Sequence, residues 1–319
     1  MTPLLLSRED TQPLVDGLSV LEAMRAALRA HAEGHRVPAE EADASVGPEA
    51  WTRALLPGLL PDVPAYSVLV EAQVPHAAGP GSRTLLLYSR VNGELLAVLD
   101  ASHLAALATA TVGAVAADVL ARSQSARVAV LGANAQGSLQ LKCLRLVRSL
   151  EHVRVFDADR EQADGFARRL YSQLKLPVHM ATTVEEAVND ADIILCAAGG
   201  DAPILFPDMV RPGCHINALG GARQATLEVA PLLLRQSRII CDDRALTLDS
   251  AAFESAQLVE ANLCAELGEV LAGKAQGRTS PEDVTVFMRA GLPFEALVVA
   301  WPAYEILRSQ QAPPEPQSA

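Results

Sequence analysis

The chain has 319 residues, half of them hydrophobic and 4% aromatic, and a formal net charge of −12. The length is enough for two domains with aliphatic cores, and the acidic balance argues against nucleic acid or an anionic membrane as a main partner. The N-terminal segment lacks a basic region followed by a long apolar one, so we expect no signal peptide. The apolar stretch 104–117 is too short to predict a membrane span.

The five cysteines include no C-x-x-C pair, and Cys143, Cys196 and Cys241 lie inside apolar runs. We interpret them as buried, reduced thiols of a cytoplasmic protein. Nothing around them indicates a lowered pKa, so we expect no cysteine nucleophile. The seven histidines show no paired spacing, which argues against a metal-dependent hydrolase, and we predict no metal site.

The N-terminal region predicts a helix beside an antiparallel sheet. Ser19 and Glu22 have capping-box spacing, which predicts a helix that begins there and ends near Gly34. Its buried face is predicted to be Leu21, Met24, Leu28 and His31, with His31 a packed histidine rather than a ligand. Residues 39–51 show no clear period and predict a loop with a possible short strand.

Residues 63–74 and 84–89 alternate or run apolar and predict strands. Asn92-Gly93 separates the apolar runs 85–90 and 95–99, which is a strong signal for a β-hairpin. Residues 101–122 then predict an Ala-rich helix.

From residue 127 the pattern changes to alternating strands and helices. Strands are predicted at 128–131, 153–156, 178–181, 192–197, 215–219, 238–242 and 284–288. This rhythm is typical of an open parallel sheet with helices on both faces. Ligands of such sheets bind at the carboxyl ends of the strands, where Gly132, Ala198 and Gly220 lie. A last helix is predicted at 293–308, with a kink at Pro302 and a disordered tail from Gln310.

Residues 127–157 have the order of a dinucleotide-binding βαβ unit. Gly132 directly follows a buried strand, a helix is predicted from 135 to 150, and an acid ends the next strand about 20 residues after Gly137. The helix N-terminus would hold a pyrophosphate and the acid a ribose hydroxyl. The predicted cofactor residues here are Gly132, Ala133, Asn134, Ala135, Gln136 and Asp157.

The fingerprint departs from its consensus at the middle glycine, which is Asn134. A side chain there would crowd or reorient the pyrophosphate, although Asn tolerates a positive φ better than most residues. One alternative is therefore a Rossmann-type turn that no longer binds cofactor, and another is that Asp157 only caps the following helix. If cofactor binds, Asp157 favours NAD by repelling a 2′-phosphate, whereas Arg160 keeps NADP possible.

Motifs along nearly the whole chain resemble those of the ornithine cyclodeaminase/μ-crystallin family. The resemblance is carried by 85–100 with its Asn92-Gly93 turn, by 104–110, 132–136 and 213–220, and by 266–269 with Gly277-Arg278. It implies a Rossmann-type domain, 113–292, inserted in a smaller α+β substrate-binding and dimerisation domain, 1–112 plus 293–319. It also implies a homodimer, a small-molecule substrate, and hydride exchange between NAD(P) and the α-carbon of an amino acid or cyclic imino acid.

The resemblance extends the list of expected cofactor residues. Thr84 and Thr109 match family residues near the cofactor phosphates or nicotinamide. At the strand ends Ala197, Ala218 and Leu219 are expected to line the face of the cofactor.

The chain departs from the family at its catalytic positions. A lysine and an arginine that clamp the substrate carboxylate are matched by Leu69 and Ala108, and the acid of the loop after Gly220 is matched by Ala222. The catalytic residues are therefore left unassigned, and we expect poor turnover of ornithine.

Arg83 is the best replacement cation, and Glu71, on the same side of its strand as Leu69, is a candidate partner for an amine. The ordinary interpretation of both is an exposed charge. Two functions remain open: an NAD(P)-dependent enzyme acting on an amino acid, amine or cyclic imine, and a non-catalytic, dimeric ligand-binding protein.

Overall fold

The computed structural model describes residues 2–14, 17–34, 40–45, 51–73, 82–200, 202–219 and 228–311. Its strands are β1 (Leu4–Leu6), β2 (Glu40–Ser45), β3 (Trp51–Leu59), β4 (Ala65–Gln73), β5 (Ser82–Ser89), β6 (Leu95–Asp100), β7 (Arg127–Leu131), β8 (His152–Phe156), β9 (Val178–Met180), β10 (Ile193–Cys196), β11 (His215–Ala218), β12 (Arg238–Cys241), β13 (Leu263–Glu266) and β14 (Thr285–Met288). Its α-helices are α1 (Arg8–Thr11), α2 (Gly17–Ala32), α3 (Ser102–Leu120), α4 (Ala135–Val147), α5 (Arg160–Leu174), α6 (Val184–Val188), α7 (Pro231–Gln236), α8 (Arg244–Leu248), α9 (Ala251–Ser255), α10 (Leu267–Leu271) and α11 (Glu295–Gln311).

The chain divides into two compact units. The first consists of Met1–Val20, Val37–Ala108 and Pro293–Ala319, and the second of Leu21–Arg36 and Thr109–Leu292. The second unit therefore begins earlier than the predicted 113, and it includes 21–36, which the prediction placed in the first. Sequence pattern did not reveal this because α2 is amphipathic whichever unit it packs on.

The first unit contains a six-stranded sheet in the order β1-β6-β5-β4-β3-β2. Its pairs are antiparallel except for β1 with β6, which is parallel. The predicted hairpin is confirmed: Ser89 N–H donates to Glu94 O at 2.9 Å, and Gly93 takes a φ of +72°. Strand β3 was not predicted, because Pro57 interrupts its pattern and lies where the register to β4 shifts.

The two faces of this sheet differ in burial. On one face Ser67, Leu69 and Glu71 of β4 are buried, opposite Leu87, Leu85 and Arg83 of β5. The other face is half-buried and largely apolar, and it includes Tyr66, Val68, Val70, Leu86, Tyr88 and Val98.

Helix α2 begins at Gly17, so the predicted capping box is wrong: Ser19 lies inside the helix. The predicted apolar face is confirmed, with Leu21, Met24, Leu28 and His31 all buried. His31 is a packed histidine, as expected, and its Nε2 lies 2.9 Å from Asp243 Oδ2.

The second unit contains an eight-stranded sheet in the order β13-β12-β14-β11-β10-β7-β8-β9, and every pairing in it is parallel. Alternate residues of its strands enter two different apolar clusters: Ile194 and Ile216 belong to one, and Val130, Ile193 and Leu195 to the other. The two faces of the sheet are thus both covered, which confirms the predicted α/β architecture.

Helix α3 is long and apolar enough to cross a membrane by length and composition, contrary to the expectation from the shorter stretch 104–117. In this protein 61% of its apolar window is buried, and Leu104, Val112, Val115 and Leu120 are fully inaccessible. Packing within the protein accounts for the composition of this helix. Helix α11 extends to Gln311, past the predicted end, and carries Pro302 inside it; the rest of the tail lies outside the described residues.

Candidate functional site

The turn between β7 and α4 has the geometry of a dinucleotide-binding loop. Gly132 takes a φ of +110°, and a Cβ built on it would lie 2.5 Å from both Ala197 O and Ala198 N. Gly137 is equally constrained, because its Cβ would lie 2.5 Å from Gly132 O. These two glycines let the strand pass directly into the helix and against the end of β10.

Asn134 is the N-cap of α4. The explanation of Asn134 by its tolerance of a positive φ is wrong, because its φ is negative. Its φ is −120°, its Oδ1 accepts from Gly137 N–H at 3.0 Å, and its Nδ2 donates to Ala197 O at 2.5 Å. The side chain is therefore turned toward the helix and toward β10 instead of standing alone in the loop. Ala135 and Gln136 open the helix behind it, and the N-terminus of a helix is a position at which anions bind.

Asp157 is tied to the glycine turn. Its Oδ2 accepts from Ala133 N–H at 2.8 Å and its Oδ1 from Asp159 N–H at 3.0 Å. The alternative that Asp157 caps the next helix is wrong, because Asp159 is the N-cap of α5 and accepts from Glu161 and Gln162 N–H. The Oδ2 of Asp157 also accepts from Gln162 Nε2 at 3.2 Å. A carboxylate has about four lone-pair sites, so beyond those three bonds Asp157 can still accept one from a ribose hydroxyl.

The carboxyl ends of β10 and β11 bring the remaining predicted residues of this unit to the same edge of the sheet. Ala197 follows β10, Ala218 ends β11, and the buried Leu219 comes next. Gly113 of α3 packs closely there, since a Cβ on it would lie 2.6 Å from Leu219 Cδ1. Thr109 lies one helical turn earlier on α3.

A buried hydrogen-bond chain holds α3 against β11. His215 Nδ1 lies 2.9 Å from Thr285 Oγ1, His215 Nε2 lies 3.0 Å from Asn217 Oδ1, and Asn217 Nδ2 donates to Gly113 O at 3.0 Å. Burial lowers the pKa of His215 to about 3, so the imidazole is neutral. Its role is structural, as one expects of a histidine in the middle of a sheet.

Sequence reasoning missed Glu228, the most unusual acid of this edge. It is buried, and its Oε1 accepts from the backbone N–H groups of Ala198 and Gly199. Burial raises the pKa of Glu228 to about 7. The sequence signal that could have identified Glu228 is that it is the single charge in the apolar run 227–230. Gln140 was also missed; its Nε2 donates to Cys196 O at 2.9 Å, and its buried Oε1 has no partner among the described residues.

These residues fit a bound dinucleotide. The turn keeps the glycine that the fingerprint requires, since a Cβ at Gly132 would lie 2.5 Å from the backbone of Ala197 and Ala198. A 13-residue helix begins behind it, and an acid stands at the end of the neighbouring strand. Within the described part of the chain no group of three or more His, Cys, Asp or Glu side chains could hold a metal ion.

The other candidates lie in the first unit. Leu69 and Ala108, which the resemblance matches to a lysine and an arginine of the family, are both buried, with exposures of 6% and 2%. Arg83 Nε donates to Glu71 Oε1 at 2.7 Å, so the two substrate candidates pair with each other. Glu71 is only 8% exposed, which contradicts its ordinary interpretation as an exposed acid, whereas the Arg83 side chain is 41% exposed.

Thr84 lies on the opposite face of the sheet from Leu69, paired with Val70 and Asp100. Together with Arg83, Asp10 and Asp100 it lines an open cavity of about 640 Å³ within the first unit. Ala222 lies outside the described residues.

Comparison with known proteins is consistent with this geometry. The model of the "Ornithine cyclodeaminase/mu-crystallin family" matches residues 74–311. The ketimine reductase mu-crystallin of Mus musculus is 32% identical over 315 residues, which cover 95% of this chain and 97% of the mouse protein.

Two solved structures are similar over nearly the whole chain. The Δ1-pyrroline-2-carboxylate reductase of Thermococcus litoralis, in complex with NADH and L-proline, has a TM-score of 0.87 and 26% identity, and the match covers 96% of this chain and 98% of that one. An archaeal alanine dehydrogenase dimer with bound NAD has a TM-score of 0.87 and 25% identity, covering 98% of each chain.

Proposed function

The chain belongs to the ornithine cyclodeaminase/mu-crystallin family, and on that premise we propose that it is an NAD-dependent oxidoreductase acting on the C–N bond of a small amino acid, amine or cyclic imine. The observation that carries the proposal is the intact glycine turn, in which Gly132 packs on the end of β10 and Asp157 is bonded to Ala133. A glycine at φ +110° with an acid bonded beside it matches the arrangement of a dinucleotide-binding turn. Similar proteins are solved with NAD or NADH bound, which supports the same cofactor here.

Bound NAD(H) supplies or accepts the hydride. The protein's own part is to fix the two ends of the cofactor: the turn and the N-terminus of α4 bind phosphate, and Asp157 accepts from the ribose. At the other end Ala218 and Leu219 form an apolar wall, held against α3 by the bond from Asn217 to Gly113. Such a wall excludes water from a hydride-transferring centre.

We propose NAD rather than NADP as the cofactor. Asp157, Asp159 and Glu161 place three carboxyl groups around the end of β8 and the start of α5, whereas Arg160 is the one cation in that segment. A 2′-phosphate would meet net negative charge there.

The substrate is proposed to be bound differently from ornithine in the cyclodeaminases. Neither Leu69 nor Ala108 can pair with a carboxylate, and both are buried. A cation in the same sheet region is Arg83, whose Nε lies 2.7 Å from Glu71 Oε1 and whose side chain is still 41% exposed. We propose that Arg83 binds the substrate carboxylate and that Glu71 orients it.

We propose that the protein works as a homodimer in the cytoplasm. The half-buried face of the first unit's sheet presents Val68, Val70 and Leu86 together, with the Tyr66 and Tyr88 rings stacked 5.2 Å apart. An apolar sheet face of this kind is typical of a subunit interface, and the similar alanine dehydrogenase is a dimer. All five cysteines are free thiols, as a reducing compartment favours. Light scattering of the wild type and of a Val68→Lys variant tests the dimer.

The second candidate function is ligand binding without catalysis. It is favoured by the apolar side chains of Leu69 and Ala108 at positions where family members carry charge. This candidate keeps the fold and the cofactor site and predicts no turnover.

A reductase assay separates the two candidates. NADH consumption is followed with Δ1-pyrroline-2-carboxylate and other cyclic and linear imino acids, and NAD+ reduction with ornithine and other amino acids. We expect NADH consumption with at least one imine. Ornithine turnover is expected to be about 100-fold or more below that of an ornithine cyclodeaminase, the loss that two missing charge-assisted bonds produce. Family-like turnover of ornithine would overturn the substrate proposal, and cofactor binding with no turnover of any imine would favour the second candidate.

A further inference from the structure

Glu228 joins three separate segments at the carboxyl edge of the second unit's sheet. Its side chain accepts from the N–H groups of Ala198 and Gly199, the latter at 3.1 Å. Its backbone carbonyl accepts from Ile204 N–H at 2.8 Å and Leu205 N–H at 2.9 Å. These four hydrogen bonds tie residue 228 to the segments 198–199 and 204–205.

The segment that Glu228 holds is the one on which the glycine turn rests. A Cβ on Gly132 would touch the peptide between Ala197 and Ala198, and Asn134 Nδ2 donates to Ala197 O. Any shift of the backbone at 197–199 would therefore change the shape of the turn that meets the pyrophosphate. Gly199 and Gly200 both have positive φ values, +67° and +115°, so this segment depends on its contacts for a fixed conformation.

We propose that Glu228 is a positioning residue for the cofactor: its carboxylate binds the N–H groups of Ala198 and Gly199 and thereby holds the segment 197–199 in the shape that NAD requires. The proposal rests on the proposed NAD-dependent function. It differs from a stabilising role because it concerns the affinity of the folded protein for NAD, not only the fold.

The positioning role predicts that the affinity for NAD depends on the charge of Glu228. Burial raises the pKa of Glu228 to about 7. The carboxylate, which binds both N–H groups more strongly than the neutral acid does, is therefore protonated as the pH falls below about 7. Cys196 on β10 is the titratable group among the described residues whose charge is coupled to it, and burial raises the pKa of that thiol well above its usual value. Ile204, Leu205 and Val229, which also pack there, carry no charge.

The test is calorimetric titration of NAD+ into wild type, Glu228→Gln and Glu228→Ala at pH 6 and pH 8.5, with thermal unfolding measured for each protein. We expect wild type to bind about 3- to 10-fold more tightly at pH 8.5, because a charged acceptor makes stronger hydrogen bonds than a neutral one. Gln keeps an oxygen acceptor without charge, so its affinity is expected to match wild type at pH 6 and not to change with pH. Ala, which offers neither N–H group an acceptor, is expected to bind about tenfold more weakly than Gln.

Glu266→Gln is the matched control. Like Glu228, Glu266 is a buried carboxyl that accepts from a backbone N–H, that of Arg244 at 2.9 Å, but it lies at the end of β13, the edge strand of the sheet. It is expected to keep the wild-type pH dependence. A folded Glu228→Ala that binds NAD+ as wild type does, or a Glu228→Gln with the wild-type pH dependence, would overturn the positioning role alone. Failure of wild type to bind NAD+ at either pH would instead overturn the proposed function, and this role with it.

Discussion

Replacing Gly132 by alanine tests the glycine turn directly. The new Cβ would lie 2.5 Å from Ala197 O and Ala198 N, about 1 Å inside ordinary contact, and the backbone has a φ of +110° that L side chains rarely adopt. Overpacking of this kind costs about 1–3 kcal/mol, and a strained backbone conformation costs about 1–3 kcal/mol more. The sum, about 2–6 kcal/mol, corresponds to a fall in melting temperature of about 4–24 °C for a domain of about 200 residues.

The same substitution should weaken NAD+ binding by at least about tenfold, because the peptide at 197–198 must move and Asn134 is bonded to it. Calorimetric unfolding and NAD+ titration of the purified variant provide both quantities. Gly165→Ala is the control: Gly165 is inside α5, and a Cβ there would meet nothing within 4 Å. That control should be more stable by about 0.5–1 kcal/mol and bind NAD+ normally. A Gly132→Ala protein with unchanged melting temperature and affinity would refute the reasoning about the turn.

Three further predictions follow from named contacts. Because the pKa of Glu228 is raised from 4.5 to about 7 in the folded protein, the folded state holds this proton more tightly than the unfolded one. The unfolding free energy should therefore fall by up to about 3 kcal/mol as pH rises from 4.5 to 7, and urea unfolding of Glu228→Gln should lack that component. Asp157→Asn keeps an acceptor for Ala133 but removes the charge, so the ratio of NADP+ to NAD+ affinity should rise by about tenfold; an unchanged ratio in parallel titrations would contradict the assignment. Arg83→Met should raise KM for a carboxylate substrate by about 10-fold or more with little change in kcat, whereas Arg168→Met on the exposed side of α5 should leave steady-state kinetics unaltered.

The second unit was the more predictable part of the fold. Most of its strands are short, largely apolar segments, since both faces of the sheet are buried, and Gly132 marks a turn that needs a positive φ. Strands β1 and β3 were not predictable in the same way. Leu4–Leu6 is too short to show a period, and its pairing with β6 is a long-range contact; β3 contains Pro57 at a register shift.

The candidate site was predictable where it depends on backbone geometry and not where it depends on long-range pairing. Gly132, Asn134 and Asp157 could be named because their spacing is local. That Asn134 reaches Ala197, or that Glu71 pairs with Arg83, depends on strand order and register, which residue spacing does not encode. Glu228 is the clearest case: its partners at 198–199 are far along the chain, and only the fold brings them together.

Titration of the wild-type protein with NAD+, NADH, NADP+ and NADPH, followed by calorimetry and nicotinamide fluorescence, tests the central claim most directly. We predict micromolar or tighter binding of NAD+ and NADH, and binding of the 2′-phosphorylated pair that is at least about tenfold weaker because of Asp157. Absence of binding for all four would contradict the claim that the turn at Gly132 holds a dinucleotide, and tighter binding of NADPH than NADH would contradict the assignment of Asp157.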